Sequence, residues 1–426
     1  MQKILRWIGR QFRRKSVQQL AADIKKNKYK PGLFKSFDWL MFALVIAISL
    51  FGVISIFAAT ATASDKEVTG LLNVISSNSI TYARLQLIWI ALGIVVLFAI
   101  SLLDYHLYGK YAQIIYLLNI VVLLVVLTVE AGRGGMSAFF TIGTSNTTLG
   151  QRSFQPSEFG KVAIIIALAK LFSQRKTPIS NWHELWPTIL FVGVPMVLVF
   201  LQPDFGTALV YAVIYVVLLY ISGTKRKLIY AMIAIVIAIA IPLWYYINTA
   251  SDSFRLTRIL MWLNPEQYPD DARQVINGQI ALGSGGLSGK GVVSVGSFAS
   301  LGYIPDDHTD FCFSIVGEAF GFVGTAALVI AFMVFLGRLV HHALHTQDTF
   351  GEYIIVGATA MFMFHVLENI CMILGITPVT GIPLPFISYG GSNLLTNMAT
   401  LGLVMNVVMR SRQKQLGGLN HYSRRI

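Results

Sequence analysis

The sequence predicts an all-α, polytopic membrane protein with about ten transmembrane helices, both termini cytoplasmic, and one large extracytoplasmic loop between spans 7 and 8. Three observations carry that prediction. The 426 residues are 55% hydrophobic and only 12% charged, with mean hydropathy +0.65, a composition foreign to soluble globular chains. Apolar runs recur at lengths that cross a hydrocarbon core of ~30 Å. Lys and Arg collect at the start, the end and every second loop between those runs, as short cytoplasmic segments do.

Residues 1–37 hold eleven Lys/Arg and form a basic cytoplasmic segment. Ile4, Leu5, Trp7, Ile8 and Phe12 interleave with Arg6, Arg10, Arg13, Arg14 and Lys15, the pattern of a helix lying on the inner leaflet. That pattern is preferred to a nucleic-acid-binding arm, so no nucleic acid is expected as a partner. The first apolar run begins too late and is too long for a cleavable signal. A membrane domain then occupies 38–412, with apolar runs near 39–59, 85–103, 111–129, 157–173, 185–201, 205–222, 227–247, 311–336, 353–375 and 393–409. Arg175-Lys176, Lys225-Arg226-Lys227 and Arg338 follow the fourth, sixth and eighth runs, and residues 413–426 form a basic cytoplasmic tail. The net charge of +13 is therefore topological, with anionic membrane lipids as its partner. Cys312 and Cys371 lie in or beside apolar runs and have no metal-ligand spacing.

Two outward regions break the pattern of short connections. Residues 248–310 concentrate Arg255, Arg258, Glu266, Asp270, Asp271, Arg273, Lys290, Asp306, Asp307, His308 and Asp310, so chemistry outside the cytoplasm is expected there. Residues 377–392 are apolar enough to enter the membrane, yet contain three prolines and three glycines and cannot form one helix. Such backbone is tolerated where protein buries it or it lines a wet cavity, which predicts a re-entrant loop beside a site. The run Gly283-Ser284-Gly285-Gly286-Leu287-Ser288-Gly289-Lys290-Gly291 fails the nucleotide-binding pattern, because Ser284 stands where that pattern needs glycine and Gly291 where it needs Ser or Thr. It remains either an NH-rich turn that approaches an anion or a structural turn.

The ionisable residues divide by the structural explanation open to each. Asp204 precedes an apolar run and reads as a helix cap. Glu158 and Lys161, three apart, share a helix face as a functional or structural ion pair. Glu318 lies inside the eighth run near Gly317, Gly321 and Gly324, which suit close helix approach, and faces the bundle as a partner-bonded or catalytic acid. Asp310 stands with Asp306, Asp307 and His308 where a polar loop enters an apolar run. Such crowding raises carboxylate pKa values and makes Asp310 a candidate general base, with helix capping as the alternative.

Phe154 to Glu158, Gln202 to Thr207, Ile280 to Leu287 with Gly289-Lys290-Gly291, His308 to Phe311, and Asn369 to Gly391 together resemble the SEDS family of shape, elongation, division and sporulation proteins. The resemblance is strongest to its rod-shape branch and covers roughly 38–412. It implies a ten-span glycosyltransferase of the bacterial cytoplasmic membrane that polymerises lipid II outside, partnered by a class B penicillin-binding protein. By the same implication Asp310 is catalytic, and Glu158, Lys161, Arg258, Lys290 and Glu318 stand in or around a central cavity. His308, Ser388, Gly390 and Gly391 join the substrate-contacting set. Arg258, Lys290 or the backbone NH groups near Gly390 and Gly391 would offset diphosphate charge. No ligand cluster for a cofactor is evident, and a divalent cation, Mg or Mn, is left open. A lipid flippase and a non-catalytic scaffold of the cell-wall machinery are the alternatives; ionisable groups gathered on one face argue against the first.

Overall fold

The computed structural model describes residues 33–60, 77–129, 140–142, 152–202, 204–250, 254–294, 296–304 and 308–422. The amphipathic helix expected in the N-terminal segment, at residues 1–32, and the residues Asp306, Asp307, Arg424 and Arg425 lie outside that set.

The described residues form thirteen α-helices: α1 Trp39–Thr60, α2 Ser77–Leu102, α3 Tyr105–Lys110, α4 Ala112–Val129, α5 Pro156–Ser173, α6 Trp182–Leu201, α7 Phe205–Ile221, α8 Arg226–Ala250, α9 Phe254–Leu263, α10 Pro269–Ser284, α11 Cys312–His345, α12 Thr349–Ile373 and α13 Gly391–Tyr422. Ten of them coincide with the ten apolar runs; α3, α9 and α10 are the additions. Six, in α1, α2, α6, α11, α12 and α13, are long and apolar enough to cross a membrane, and Ala112–Thr128 and Phe205–Ile221 are shorter apolar helices. One antiparallel pair of short strands, β1 Phe140–Ile142 and β2 Arg152–Phe154, was not foreseen, since three residues are too few for a period-two pattern to show.

Helix ends follow local chemistry. Pro156 opens α5, where its missing N–H costs nothing. Asp204 caps α7 by accepting from Thr207 N at 3.1 Å, as the sequence favoured, and Asp348 caps α12 through Gly351 N at 3.0 Å.

The centre of the bundle is α12 and α13, whose apolar windows are 67% and 89% buried, against 28% for α2, α6 and α11. α13 runs along α2 and α5, and α12 packs on α5, α7 and α11. Val95, Ile114 and Ile239 are exposed on the outer helices, the surface a hydrocarbon solvent covers. Residues 374–390 are non-helical and folded into this core, with Leu384, Phe386 and Ile387 fully buried and Ser388 nearly so. The re-entrant segment is thus wrapped by protein, which satisfies the constraint on irregular backbone at membrane depth. Helices pack tightly against it: a Cβ on Gly52 of α1 would come within 2.8 Å of Ile387 Cα, and one on Gly206 of α7 within 2.9 Å of Thr380 O.

α11 is broken. Gly321 has φ 65° and ψ −162°, so the helical bonds from Phe322 and Val323 back to Glu318 and Ala319 cannot form. The glycine-rich turn supplies replacements for all four groups. Lys290 N and Gly291 N donate to Glu318 O and Ala319 O at 2.8 and 3.0 Å, while Phe322 N and Val323 N donate to Gly286 O and Leu287 O at 2.8 and 3.1 Å. A Cβ on Gly285 or Gly289 would collide with the backbone carbonyls of Gly317 and Ala319. The glycine run is therefore a structural turn that lets two backbones meet. Gly317 does serve close helix approach, against Leu282 of α10, whereas Gly321 serves the break.

At the opposite end of the bundle Asp38 ties three helices together. Arg338 of α11 donates to both its oxygens at 2.7 and 2.8 Å, Met41 N donates at 3.2 Å, and His342 and Arg412 also reach it. Burial alone would raise the Asp38 carboxyl, but the hydrogen bonds from His342 and Arg338 hold it well below the usual carboxylate range.

Candidate active site

The N-cap position of α11 is Phe311, with no side-chain cap bond, and Asp310 lies one residue outside it, half-buried. Its position is fixed from its own backbone. Asn369 of α12 donates through Nδ2 to Asp310 O and to Ile382 O, both at 2.8 Å, joining the start of α11 to the re-entrant segment. Two residues earlier, His308 O accepts from Tyr389 N at 2.9 Å, and the His308 ring packs against Tyr82 and Tyr389. The sequence therefore brings Asp310, His308, Gly381 and Tyr389 together although 59 residues separate Asp310 from its Asn369 anchor.

The carboxylate faces Gly381, where an added Cβ would stand 3.3 Å from Asp310 Oδ2. Gly381 has φ +71°, a conformation that costs a side-chain-bearing residue about 1–2 kcal/mol. Arg258 of α9 donates to Val379 O at 3.4 Å, two residues along the same segment. Burial depresses the Arg258 guanidinium while the Asp310 charge acts in the other direction, so the two groups are close enough to attract. A small cavity lined by Met261, Trp262, Val275, Ile276, Gln279 and Thr377 reaches the same segment at Val379.

The remaining predicted residues fall into separate clusters. Glu318 is 2% exposed and accepts from Phe298 N at 2.8 Å, Ala299 N at 3.2 Å and Lys290 Nζ at 2.7 Å. Lys290, expected near a diphosphate, is engaged with this acid and lies over the Phe298 ring. The pair holds the glycine-rich turn onto the α11 break. Glu158 and Lys161 form a buried ion pair at 2.6 Å, and Lys161 Nζ lies 3.2 Å from His365 Nε2. Among the described residues Glu158 Oε2 has no hydrogen-bond partner, so this cluster retains polar capacity inside the bundle. Asp204 does more than cap: Gln155 Nε2 and Ser157 Oγ each donate to its Oδ2 at 2.7 Å, fastening the start of α5 to that of α7.

Ser388 Oγ accepts from Leu384 N at 2.9 Å and closes a buried turn. Gly390 and Gly391 bring the chain into α13, whose first residues face Trp89 so closely that a Cβ on Gly391 would stand 2.6 Å from that ring. Cys312 is buried and Cys371 half-buried, both free thiols. Among the described residues no group of three or more His, Cys, Asp or Glu could hold a metal ion. Sequence reasoning gave no role to Asn369, which entered only as the start of the long motif and whose signal was an amide inside an otherwise apolar helix, nor to the buried Glu368 beside it.

Fold and site define a multi-pass helical membrane protein with a carboxylate at one rim of the bundle, set against a buried, proline- and glycine-rich segment. Residues 38–413 match the family described as cell cycle protein, which groups FtsW, RodA and SpoVE, and the chain belongs to that family. It is 32% identical over 319 residues to peptidoglycan glycosyltransferase MrdB of Escherichia coli K12, covering 75% of this chain and 83% of that one. It is 30% identical over 380 residues to stage V sporulation protein E of Bacillus subtilis, covering 88% of this chain and 98% of the relative. The solved RodA of Thermus thermophilus superposes with TM-score 0.60 at 26% identity, over 87% of this chain and 96% of its own. A chain in the solved structure of a peptidoglycan synthase complex that coordinates polymerization and crosslinking superposes with TM-score 0.69 at 26% identity, covering 88% of this chain and 98% of that chain.

Proposed function

We propose that this protein is a peptidoglycan glycosyltransferase. It polymerises lipid II into glycan strands at the outer face of the cytoplasmic membrane, with a class B penicillin-binding protein as its crosslinking partner. The observation that carries the reading is the setting of Asp310: outside the helix cap, anchored by Asn369 through its backbone, and near the cation Arg258. The family and the relatives' activities supply the substrate class.

In the proposed reaction the acceptor sugar hydroxyl of one lipid-linked molecule gives its proton to Asp310 as its oxygen attacks the anomeric carbon of the other. The bond from that carbon to the diphosphate oxygen breaks, and the undecaprenyl diphosphate leaves with the electron pair. Negative charge grows on the diphosphate, where Arg258 and the backbone NH groups at the start of α13 offset it. Lys290 and Glu318 contribute by holding the outer turn in place, and Glu158 with Lys161 by keeping the interior polar.

The test is polymerisation of lipid II by the protein copurified with its penicillin-binding partner, without a membrane gradient. Wild type should make glycan chains, and folded Asp310→Ala and Asp310→Asn should make none. Polymerisation by these variants at the wild-type rate would remove Asp310 from the chemistry. Lipid movement across vesicles with no polymer from any preparation would replace the enzyme with a flippase.

A further inference from the structure

The segment that faces Asp310 is gripped twice from α12, by two consecutive residues. Asn369 holds Ile382 O at 2.8 Å, as described. Its neighbour Glu368 accepts from Thr380 Oγ1 at 3.0 Å, in a bond buried from solvent. The two grips fall on either side of Gly381, the residue against which Asp310 Oδ2 rests. One residue before Thr380, Val379 O accepts from Arg258. Behind the segment stands Gly206 of α7, too close to Thr380 O for any side chain. Four consecutive residues, 379–382, thus carry the contacts that set where Asp310 and Arg258 sit relative to one another.

Glu368 needs a reason of its own. It lies five residues before the end of α12, about 7.5 Å inside at 1.5 Å per residue. There it is 8% exposed, and an apolar side chain would fill the space without the desolvation cost of a carboxylate. An ionisable group retained in a membrane-spanning helix is a functional candidate, and no step of the reaction above uses this one. It accepts from Thr380 Oγ1, and the Thr377 hydroxyl of the same non-helical segment also lies near enough to act on the carboxylate.

We infer that Glu368 is a positioning residue for glycosyl transfer: through Thr380 it locks residues 379–382, and with them the spacing between Asp310 and Arg258. The inference rests on the reading of Asp310 as the base. Releasing the grip leaves the substrate surfaces in place but lets the base and the cation drift, so the loss falls on turnover and spares binding.

The experiment compares Glu368→Leu, Glu368→Gln, Thr380→Val and the Glu368→Leu/Thr380→Val double variant, each copurified with the crosslinking partner and assayed for kcat and KM on lipid II. A displacement approaching 1 Å costs about 100-fold, so Glu368→Leu and Thr380→Val should each lower kcat on the order of 10-fold, with KM held within about twofold. The double variant should be no worse than the worse single one, because both remove the same link. Glu368→Gln, whose amide oxygen still accepts from Thr380, should stay within about threefold of wild type on the same scale. Wild-type kcat in Glu368→Leu, or single effects that multiply in the double variant, overturns the inference. Should Glu368→Leu fail to assemble, Thr380→Val, which keeps size and burial, decides it by the same criterion. An active Asp310→Asn would instead bring down the reading of the base. An inactive Asp310→Asn beside a fully active Thr380→Val would bring down only the role of Glu368.

Discussion

A single methyl group at Gly381 separates strain from chemistry. Gly381→Ala places an L-residue at φ +71°, at a cost of about 1–2 kcal/mol of stability. Its Cβ arrives 3.3 Å from Asp310 Oδ2, inside ordinary van der Waals contact, so the carboxylate must yield by a few tenths of an ångström. If misplacement by ~1 Å costs ~100-fold, or about 2.7 kcal/mol of barrier, then ~0.3 Å costs about 0.8 kcal/mol, roughly fourfold in rate. Gly223→Ala is the matched control: φ is +78°, the nearest atom to its Cβ is Pro178 Cγ at 3.5 Å, and it lies at the end of α7 away from Asp310. Both variants should lose a similar small amount of thermal stability in detergent. Only Gly381→Ala should slow lipid II polymerisation, by about three- to tenfold at unchanged KM, the range of that estimate. Equal rates for the two variants, with both folded, would refute the argument that the carboxylate's placement limits turnover.

The other clusters give predictions about stability. Glu318→Leu strands Phe298 N, Ala299 N and Lys290 Nζ and should cost about 3–5 kcal/mol, read by thermal unfolding in detergent. Lys161→Met leaves Glu158 unpaired and nearly fully buried, with a loss of about 3–5 kcal/mol, and adding Glu158→Gln should return much of it. A melting temperature unchanged in Lys161→Met would show that the pair contributes nothing measurable to stability. Because the folded Asp38 carboxyl lies below its unfolded value, its contribution is present at neutral pH and disappears as the pH falls from about 4 through the depressed folded value. Asp38→Asn should therefore lower the melting temperature at pH 7 and flatten its dependence on acid; an unchanged pH profile would exclude that carboxylate as the acid-sensitive tie.

How much of this was legible in the sequence depended on whether the cause was local. Apolar run length found ten helices, and the Asp204 cap followed from an acid placed immediately before a run. The mismatch at Ser284 and Gly291 argued against a nucleotide loop, and the run bonds to α11 as a turn. Partnerships across the fold were not legible. Lys290 and Glu318 are 28 residues apart, and charge alone does not say whether a lysine meets a substrate or an acid. Gly321 was read as a point of helix contact because a glycine that permits close approach and one that permits positive φ look alike in sequence. Asp310 stood out by its company, but its anchor on Asn369 belonged to another helix. Glu368 showed in the sequence only as a charge in an apolar run; what it grips depends on residues 377–380 folding back onto α12.

The broken α11 also bears on where this protein can accept foreign sequence. Residues 286–291 look from composition like the natural place for an epitope tag or a fluorophore, being glycine-rich and hydrophilic. They instead carry the main-chain bonds that α11 gave up at Gly321, so an insertion there would open a helix that is distant in the chain. The segment between α8 and α11 is part of the bundle where it meets α11, and labels placed to watch it belong outside residues 285–291.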